Sequence, residues 1–300
     1  MKNINITFKN EQDKINFVNE CELDFENRLD EVSQKAINSG VSILLLSGPT
    51  CAGKTTTANK IIHDYHEIGK SVTVISIDDF FKERIDDRRI NENEKLDYDS
   101  VDVIDLPLLA ECISQIKAGN TISVPKFDFV SQKRSGYTEH TIDANEIIIF
   151  EGIQAVYPEI TSLFKAEFKG VFINVNEDVC INNIHFTKND IRLIRRVVRD
   201  EKFRGATPEF TFYLWDSVRE NEEKSIFPNK DICEIQIDSF MCYELFLMKD
   251  YLIKVLENFN KESKYYEKAK SLLDKVIKLD DISYDYIPKG SLYTEFLGKK

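Results

Sequence analysis

The chain of 300 residues has a single tryptophan, three methionines and four histidines. No apolar run approaches the roughly 20 residues that a membrane span requires, so no membrane partner is expected. The opening "MKNINITFKN" lacks the apolar centre of a secretory signal, and nothing in it points to export. Cys21, Cys51, Cys112, Cys180, Cys233 and Cys242 form no C-x-x-C pair, and no histidine stands near them at zinc-ligand spacing. Reduced thiols in a cytoplasmic protein are the expectation. Positive charge is short as well, with 40 Lys and Arg against 52 Asp and Glu for a net −12. That balance excludes a general nucleic-acid binder, which must neutralise phosphates with Lys and Arg. Any anionic ligand therefore has to meet a local cluster of cations.

What is present is an alternation. Residues 11–39 are polar with apolar positions at helical spacing (Ile15, Phe17, Val18, Leu23, Phe25, Leu29, Val32), which predicts one amphipathic helix ending at Gly40. From residue 41 the apolar runs "VSILLLS", "SVTVISI", "EIIIFEG" and "FKGVFINV" are separated by helical patterns with glycine stops at Gly69 and Gly119. "TISVPKF" reads as a shorter extended piece. Buried strands alternating with helices predict an α/β fold with a parallel sheet flanked by helices on both faces. Residues 190–224 and 239–278 read as further helices. The expected organisation is an N-terminal helical extension over 1–40, a core over 41–240 and a C-terminal helical extension over 241–300.

The sharpest motif is "GPTCAGKT", Gly48-Pro49-Thr50-Cys51-Ala52-Gly53-Lys54-Thr55, followed by Thr56 and set between a buried strand and a helix. It fits G-x-x-x-x-G-K-[ST], a loop whose backbone N–H groups wrap nucleotide phosphates at a helix N-terminus. Lys54 is expected on the β- and γ-phosphates and Thr55 on Mg²⁺, with Gly53 allowing phosphate close to the backbone. Cys51 is assigned no chemistry beyond its small size.

Two strand ends supply acids. Glu151, after "IIIF", is the expected metal-side carboxylate at the carboxyl edge of the sheet. "VISIDDFF" offers Asp78, expected to end its strand in register and to accept a proton from an acceptor hydroxyl. Asp79 points elsewhere by the period-2 rule and reads as a turn or cap residue.

In "NDIRLIRRVVRDEKFRG", Leu193, Ile194, Val197 and Val198 make an apolar stripe. Arg192, Arg195, Arg196 and Arg199 fall on the remaining face, with Arg204 just beyond. Their expected role is a lid, over about 187–224, that lays guanidinium forks on a transferring phosphoryl group.

These stretches, with "LDYDSVDVIDL", "VPKFDFVSQKRSG", "LWDSVRENEEKSIFP" and "IPKGSLYTEFLG", resemble the uridine kinase/phosphoribulokinase family of P-loop kinases, over residues 41–298. The bacterial uridine kinase-like nucleoside kinases are the most similar group. The resemblance implies the P-loop NTPase fold, with ATP and Mg²⁺ as cofactors and a nucleoside phosphorylated at its 5′-hydroxyl. It makes Asp78, Lys54, Arg196 and Arg199 the catalytic set and adds Arg204 to the ATP-binding loop. Asp78, Phe81, Asp99, Phe127, Asp128, Gln132, Arg134 and Arg196 would bind the acceptor, with Asp99 on the ribose hydroxyls. Thr55, Glu151 and Asp78 would serve the metal. Well-known uridine-cytidine kinases carry Tyr at the positions of Phe81 and Phe127 and a base-contacting His at that of Gln132. Without those groups the pyrimidine edge has fewer readers. A purine nucleoside, a pentose phosphate or another small alcohol therefore stays open as acceptor, as does homo-oligomerisation.

Other nucleotide-binding classes fit less well. A GTPase needs N-K-x-D, and "NKDI" at Asn229–Ile232 has its Asp one place early. No LSGGQ-like signature supports an ABC-type ATPase. A nucleotide-sensing regulator without catalysis would have no need of a carboxylate at the Asp78 position.

Overall fold

The computed structural model describes residues 1–83, 99–129 and 131–298. Residues 96–98 of "LDYDSVDVIDL" lie outside them. A short strand β1 (Lys2–Ile4) precedes helix α1 (Glu11–Asn38), whose N-cap Asn10 accepts a hydrogen bond from the Asp13 amide. Then β2 (Ile43–Ser47) leads through the phosphate loop into α2 (Lys54–Glu67), and β3 (Val72–Ser76) follows. Helix α3 (Leu106–Lys117) starts at Asp105, whose side chain accepts from the Leu108 amide. Strands β4 (Thr121–Asp128) and β5 (Lys133–Thr141) pair as an antiparallel hairpin before β6 (Ile147–Glu151). After the single turn α4 (Pro158–Thr161) come β7 (Lys169–Asn174), β8 (Val179–Ile181) and β9 (Ile184–Phe186). Helices α5 (Lys188–Arg204) and α6 (Pro208–Asn221) break at Gly205, whose φ of 59° is a left-handed cap. Thr207 caps α6, and Pro208 fills its first turn where no N–H is required. Strand β10 (Ile235–Asp238), α7 (Glu244–Leu256), α8 (Tyr266–Val276) and the short α9 (Thr294–Leu297) complete the chain.

The central sheet is parallel, in the order β10-β7-β2-β6-β3. Its middle strands are apolar at nearly every position because both faces are covered. Alternation still decides direction. Leu44, Leu46, Ile147 and Ile149 face a core shared with α1, α2, α5, α7, α8 and the C-terminal residues Leu292–Leu297. Ile43, Leu45, Ile148 and Phe150 face the smaller core built with α3 and Ile122 of β4. Burial of each such Leu, Ile or Phe contributes about 1.5–3 kcal/mol. In this arrangement the loops after β2, β3 and β6 all open at the carboxyl edge, where open α/β sheets bind ligands.

"TISVPKF" is extended as expected and forms one arm of the β4–β5 hairpin, while its partner "KRSGYTEHT" has no apolar face that would mark it as a strand. One expectation needs correction, and it concerns α5. Rather than presenting arginines on an open face, it is buried on nearly all sides between α6, α7 and α9, with Arg192 and Arg195 at 0% exposure.

Candidate active site

The phosphate loop is shaped from inside the protein. Gly48 lies so close to β7 that an added Cβ would stand 2.1 Å from the Ile173 carbonyl oxygen. Gly53 has φ +100°, and a Cβ there would meet Leu292 Cδ1 at 2.8 Å. Its glycine is therefore required by a left-handed backbone and by inward packing, where the sequence suggested access for phosphate. Cys51 is buried and also left-handed at φ 57°. Lys54 folds back to donate to the Gly48 carbonyl at 3.0 Å and the Pro49 carbonyl at 3.4 Å. Thr55 is exposed at the start of α2, with Thr56 half-buried beside it. Thr50 and Ala52 complete the turn, and Thr57 closes it by donating to the Gly53 carbonyl at 3.1 Å.

Asp78 does not end β3. That strand stops at Ser76, and Asp78 and Asp79 sit on the 3₁₀ turn Ile77–Phe80, so strand alternation does not set their directions. Asp79 accepts a hydrogen bond from the Phe127 amide at 3.1 Å and braces β4. The Asp78 carboxyl is pushed up to about 6, first by burial and then by the nearby Glu151 carboxylate. Lys54 pulls it down, and Asp99 and Asp79 push it further up. Asp78, Glu151, Asp99 and Lys54 thus share one electrostatic neighbourhood at the carboxyl edge. Glu151 reaches it as the last residue of β6, in register with Leu46 and Ser76. The Asp99 carbonyl accepts from the Tyr157 hydroxyl at 2.8 Å, which fixes its backbone beside the turn after β6.

No group of three His, Cys, Asp or Glu residues among the described ones forms a metal cage. Mg²⁺ does not ask for one, because it takes one or two carboxylates together with phosphate oxygens and water. The Asp78 carboxyl, the Glu151 carboxylate near it and the exposed Thr55 hydroxyl at the start of α2 are oxygen groups of the kind that suit such an ion.

Beside the Ile77–Phe80 turn and the hairpin, where the sequence expects the acceptor, Phe81, Phe127 and Phe129 form an aromatic cluster with ring centroids 5.1–5.5 Å apart. Phe129 was not singled out by the sequence, since a lone loop phenylalanine carries no signal. Asp128 accepts from Ser131 at 2.6 Å. Gln132 is half-buried with φ 55° in the turn of the hairpin. Arg134 reaches back to Asp105 at 2.6 Å and to the Phe81 carbonyl at 3.4 Å, so its guanidinium ties β5 to the start of α3.

The arginines of α5 divide into two groups. Arg192 forms a bidentate pair with Glu222, both bonds 2.6 Å, and packs on Trp215 at 5.4 Å. Arg195 pairs with Glu244. Both are buried struts and leave the expected lid. Arg196, Arg199 and Arg204 instead converge on one buried carboxylate, Asp200, at 3.3, 2.6 and 3.5 Å. Arg199 and Arg204 lie within electrostatic reach of Cys51, which sets this cluster beside the phosphate loop. Burial, followed by the like charge of Arg199, lowers Arg204. Three cations against Asp200 and the Glu295 carboxyl, which also lies within reach of Arg199, still leave an excess of positive charge suited to phosphate. Asp200 itself was missed, because a single acid within an arginine run reads as an ordinary helical pair.

No helix among the described residues is long and apolar enough to cross a membrane. The Phosphoribulokinase / Uridine kinase family model matches residues 43–245. A uridine kinase of Lactobacillus johnsonii is 31% identical over 167 residues, covering 56% of this chain and 71% of its own. A uridine kinase of Macrococcus caseolyticus is 31% identical over 201 residues, covering 66% of this chain and 88% of its own. Among solved structures, one described as a possible uridine kinase from Bacillus stearothermophilus aligns with a TM-score of 0.50 at 20% identity, over 72% of this chain and all of that one, a likeness of fold. The phosphate loop, the acids at the carboxyl edge and this match over two thirds of the sequence give one result: the chain belongs to the phosphoribulokinase/uridine kinase family of P-loop kinases.

Proposed function

We propose that this kinase transfers the γ-phosphoryl of ATP to the 5′-hydroxyl of a nucleoside. The observation that carries the reading is Asp78, a carboxyl on the turn after β3 that feels both the phosphate-loop Lys54 and Asp99 and has a raised proton affinity. The acceptor oxygen attacks the γ-phosphorus, the bond from that phosphorus to ADP breaks, and the hydroxyl proton passes to Asp78. Thr55 and Glu151, with Asp78 alongside, would hold Mg²⁺, which would supply charge neutralisation on the phosphates when bound. Backbone N–H groups of Thr50–Thr55 orient the donor. Arg196, Arg199 and Arg204 bear on the transferring group, where their charge opposes the charge that spreads over its oxygens.

The acceptor side supports a nucleoside over a pentose phosphate. Phe127 and Phe129, backed by the buried Phe81, offer ring surface to a planar base. A phosphate-bearing acceptor needs a second cation, and among the described residues the acceptor-side Arg134 is engaged with Asp105. Asp99 would take the ribose 2′- and 3′-hydroxyls, with Asp128 and Gln132 at the rim. Because Phe81 and Phe127 lack hydroxyls, the base is gripped by its face, and both purine and pyrimidine nucleosides fit that grip.

Phe127→Ala separates the two half-sites. It should raise KM for the nucleoside about tenfold or more and leave KM for ATP within twofold, since the ring touches only the acceptor side. Steady-state kinetics with each substrate varied in turn checks this, and ³¹P NMR of the product should place the phosphate on the 5′ carbon. A shift in KM for ATP alone, or phosphate on another hydroxyl, removes this acceptor geometry.

A further inference from the structure

The C-terminal residues lie beyond the family match, which ends at residue 245, yet they reach the phosphate loop. We propose that the segment Ile287–Leu297, acting with Arg195 and Glu244, is a positioning element of the nucleotide site that fixes the direction of the loop's Ala52 N–H. The inference rests on the nucleotide-binding half of the reading above and is independent of which acceptor is used.

Arg195 donates from Nη1 to the Cys51 carbonyl at 3.1 Å. A trans peptide points its carbonyl and the next N–H in opposite directions, and the chain has no cis bond. Drawing the Cys51 carbonyl into the core therefore turns the Ala52 N–H outward, toward the concavity where such loops hold phosphate. Left-handed backbone at a residue with a side chain is unfavourable, so Cys51 keeps φ 57° only while its surroundings hold it.

Those surroundings come from Ser239 and Glu244 together with the C-terminal segment. Arg195 is held by Glu244 through Nε at 2.9 Å and Nη2 at 2.5 Å, and by Ser239 through its hydroxyl at 3.0 Å and its carbonyl at 3.1 Å. Tyr293 and Phe296 flank the guanidinium at 5.8 and 5.6 Å. The Tyr293 hydroxyl donates to Glu244 at 2.7 Å and so helps aim the carboxylate that aims the arginine. Leu292 packs on Gly53, the pivot between loop and helix α2. Glu295 of the same segment lies within electrostatic reach of Lys54, Arg199 and Glu151, and its Oε2 is buried with no hydrogen-bond partner. A polar atom left in that state beside the phosphate-side cations is consistent with a segment built against the site rather than simply covering the core.

Calorimetric titration of MgADP into the full-length protein tests this without any acceptor. Leu292→Ala should weaken MgADP about tenfold, and Tyr293→Phe, which removes only a hydroxyl, should weaken it severalfold. Leu272→Ala supplies the control, since it opens a comparable hole in the same core under α8, away from the loop. It should lose thermal stability and bind MgADP as the wild type does. Wild-type affinity in folded Leu292→Ala and Tyr293→Phe proteins overturns the proposal, and so does an equal loss of affinity in Leu272→Ala. A wild type that binds MgADP but phosphorylates no nucleoside sinks the acceptor reading and leaves this inference standing. A wild type that binds no nucleotide sinks both.

Discussion

Asp78→Asn should lower kcat about 10³-fold, leave MgADP affinity within a fewfold, and make the nucleotide-free protein more stable. The first effect follows from losing the only group proposed to take the acceptor proton, a role generally worth 10²–10⁴-fold. The second follows because the phosphate loop and its arginines remain in place. The third comes from the cost of keeping this carboxylate charged beside Glu151 and Asp99 away from bulk water. Its proton affinity rises on folding from an ordinary 3.8 to about 6. The ionised form is therefore disfavoured in the native state, at no cost below pH 3.8 and at full cost above about pH 6. Replacement by neutral Asn should raise stability by on the order of 2 kcal/mol above pH 6, an advantage that fades to nothing as the pH falls through that window. Thermal melts across pH 4–8, run with EDTA, read this directly. A variant that is slower but no more stable at pH 8 would mean that Asp78 is not under the strain assigned to it.

Asp200→Asn should destabilise the protein by about 3–5 kcal/mol, because breaking a buried ion pair leaves its partners uncompensated. Arg196 and Arg199 are nearly as buried as Asp200 itself, at 10% and 12% side-chain exposure, so neither can turn to solvent for relief. An anion bound in front of these guanidiniums would restore part of the balance. Saturating MgADP should therefore raise the melting temperature of Asp200→Asn by more than it raises that of the wild type. Equal upshifts would mean that the arginine cluster does not face the nucleotide. This double readout separates the cluster from Arg192 and Glu222, whose disruption should destabilise the fold with no such excess response to nucleotide.

The donor half of the site was legible because its chemistry is local. The loop Gly48–Thr55 sits between one strand and one helix, and eight consecutive residues carry the whole pattern. Glu151 was legible for a similar reason, as the first acid after four apolar residues. Asp78 was singled out by residue type, and its role stays a proposal; the geometry offered for it was wrong, since a 3₁₀ turn rather than the end of β3 carries it. The arginines misled for a physical reason. Helical spacing shows which residues share a face but not what covers that face. Arg192 and Arg195 are covered by Glu222 and by Glu244 with Tyr293, residues 30 to about 100 positions away. Hairpin strand β5 escaped notice because both its faces are largely polar, so no alternation marks it. The C-terminal "SLYTEFLG" gave no hint of its place, since only the folded chain brings Leu292 against Gly53.

The central claim is that this P-loop kinase uses a nucleoside as its phosphoryl acceptor. ADP release by the purified protein with MgATP, followed across uridine, cytidine, adenosine, guanosine and ribulose 5-phosphate, tests it most directly. The account predicts that at least one nucleoside raises the rate tenfold or more above the rate without acceptor, and that ribulose 5-phosphate does not. A rate that no nucleoside raises, or that ribulose 5-phosphate alone raises, would contradict it.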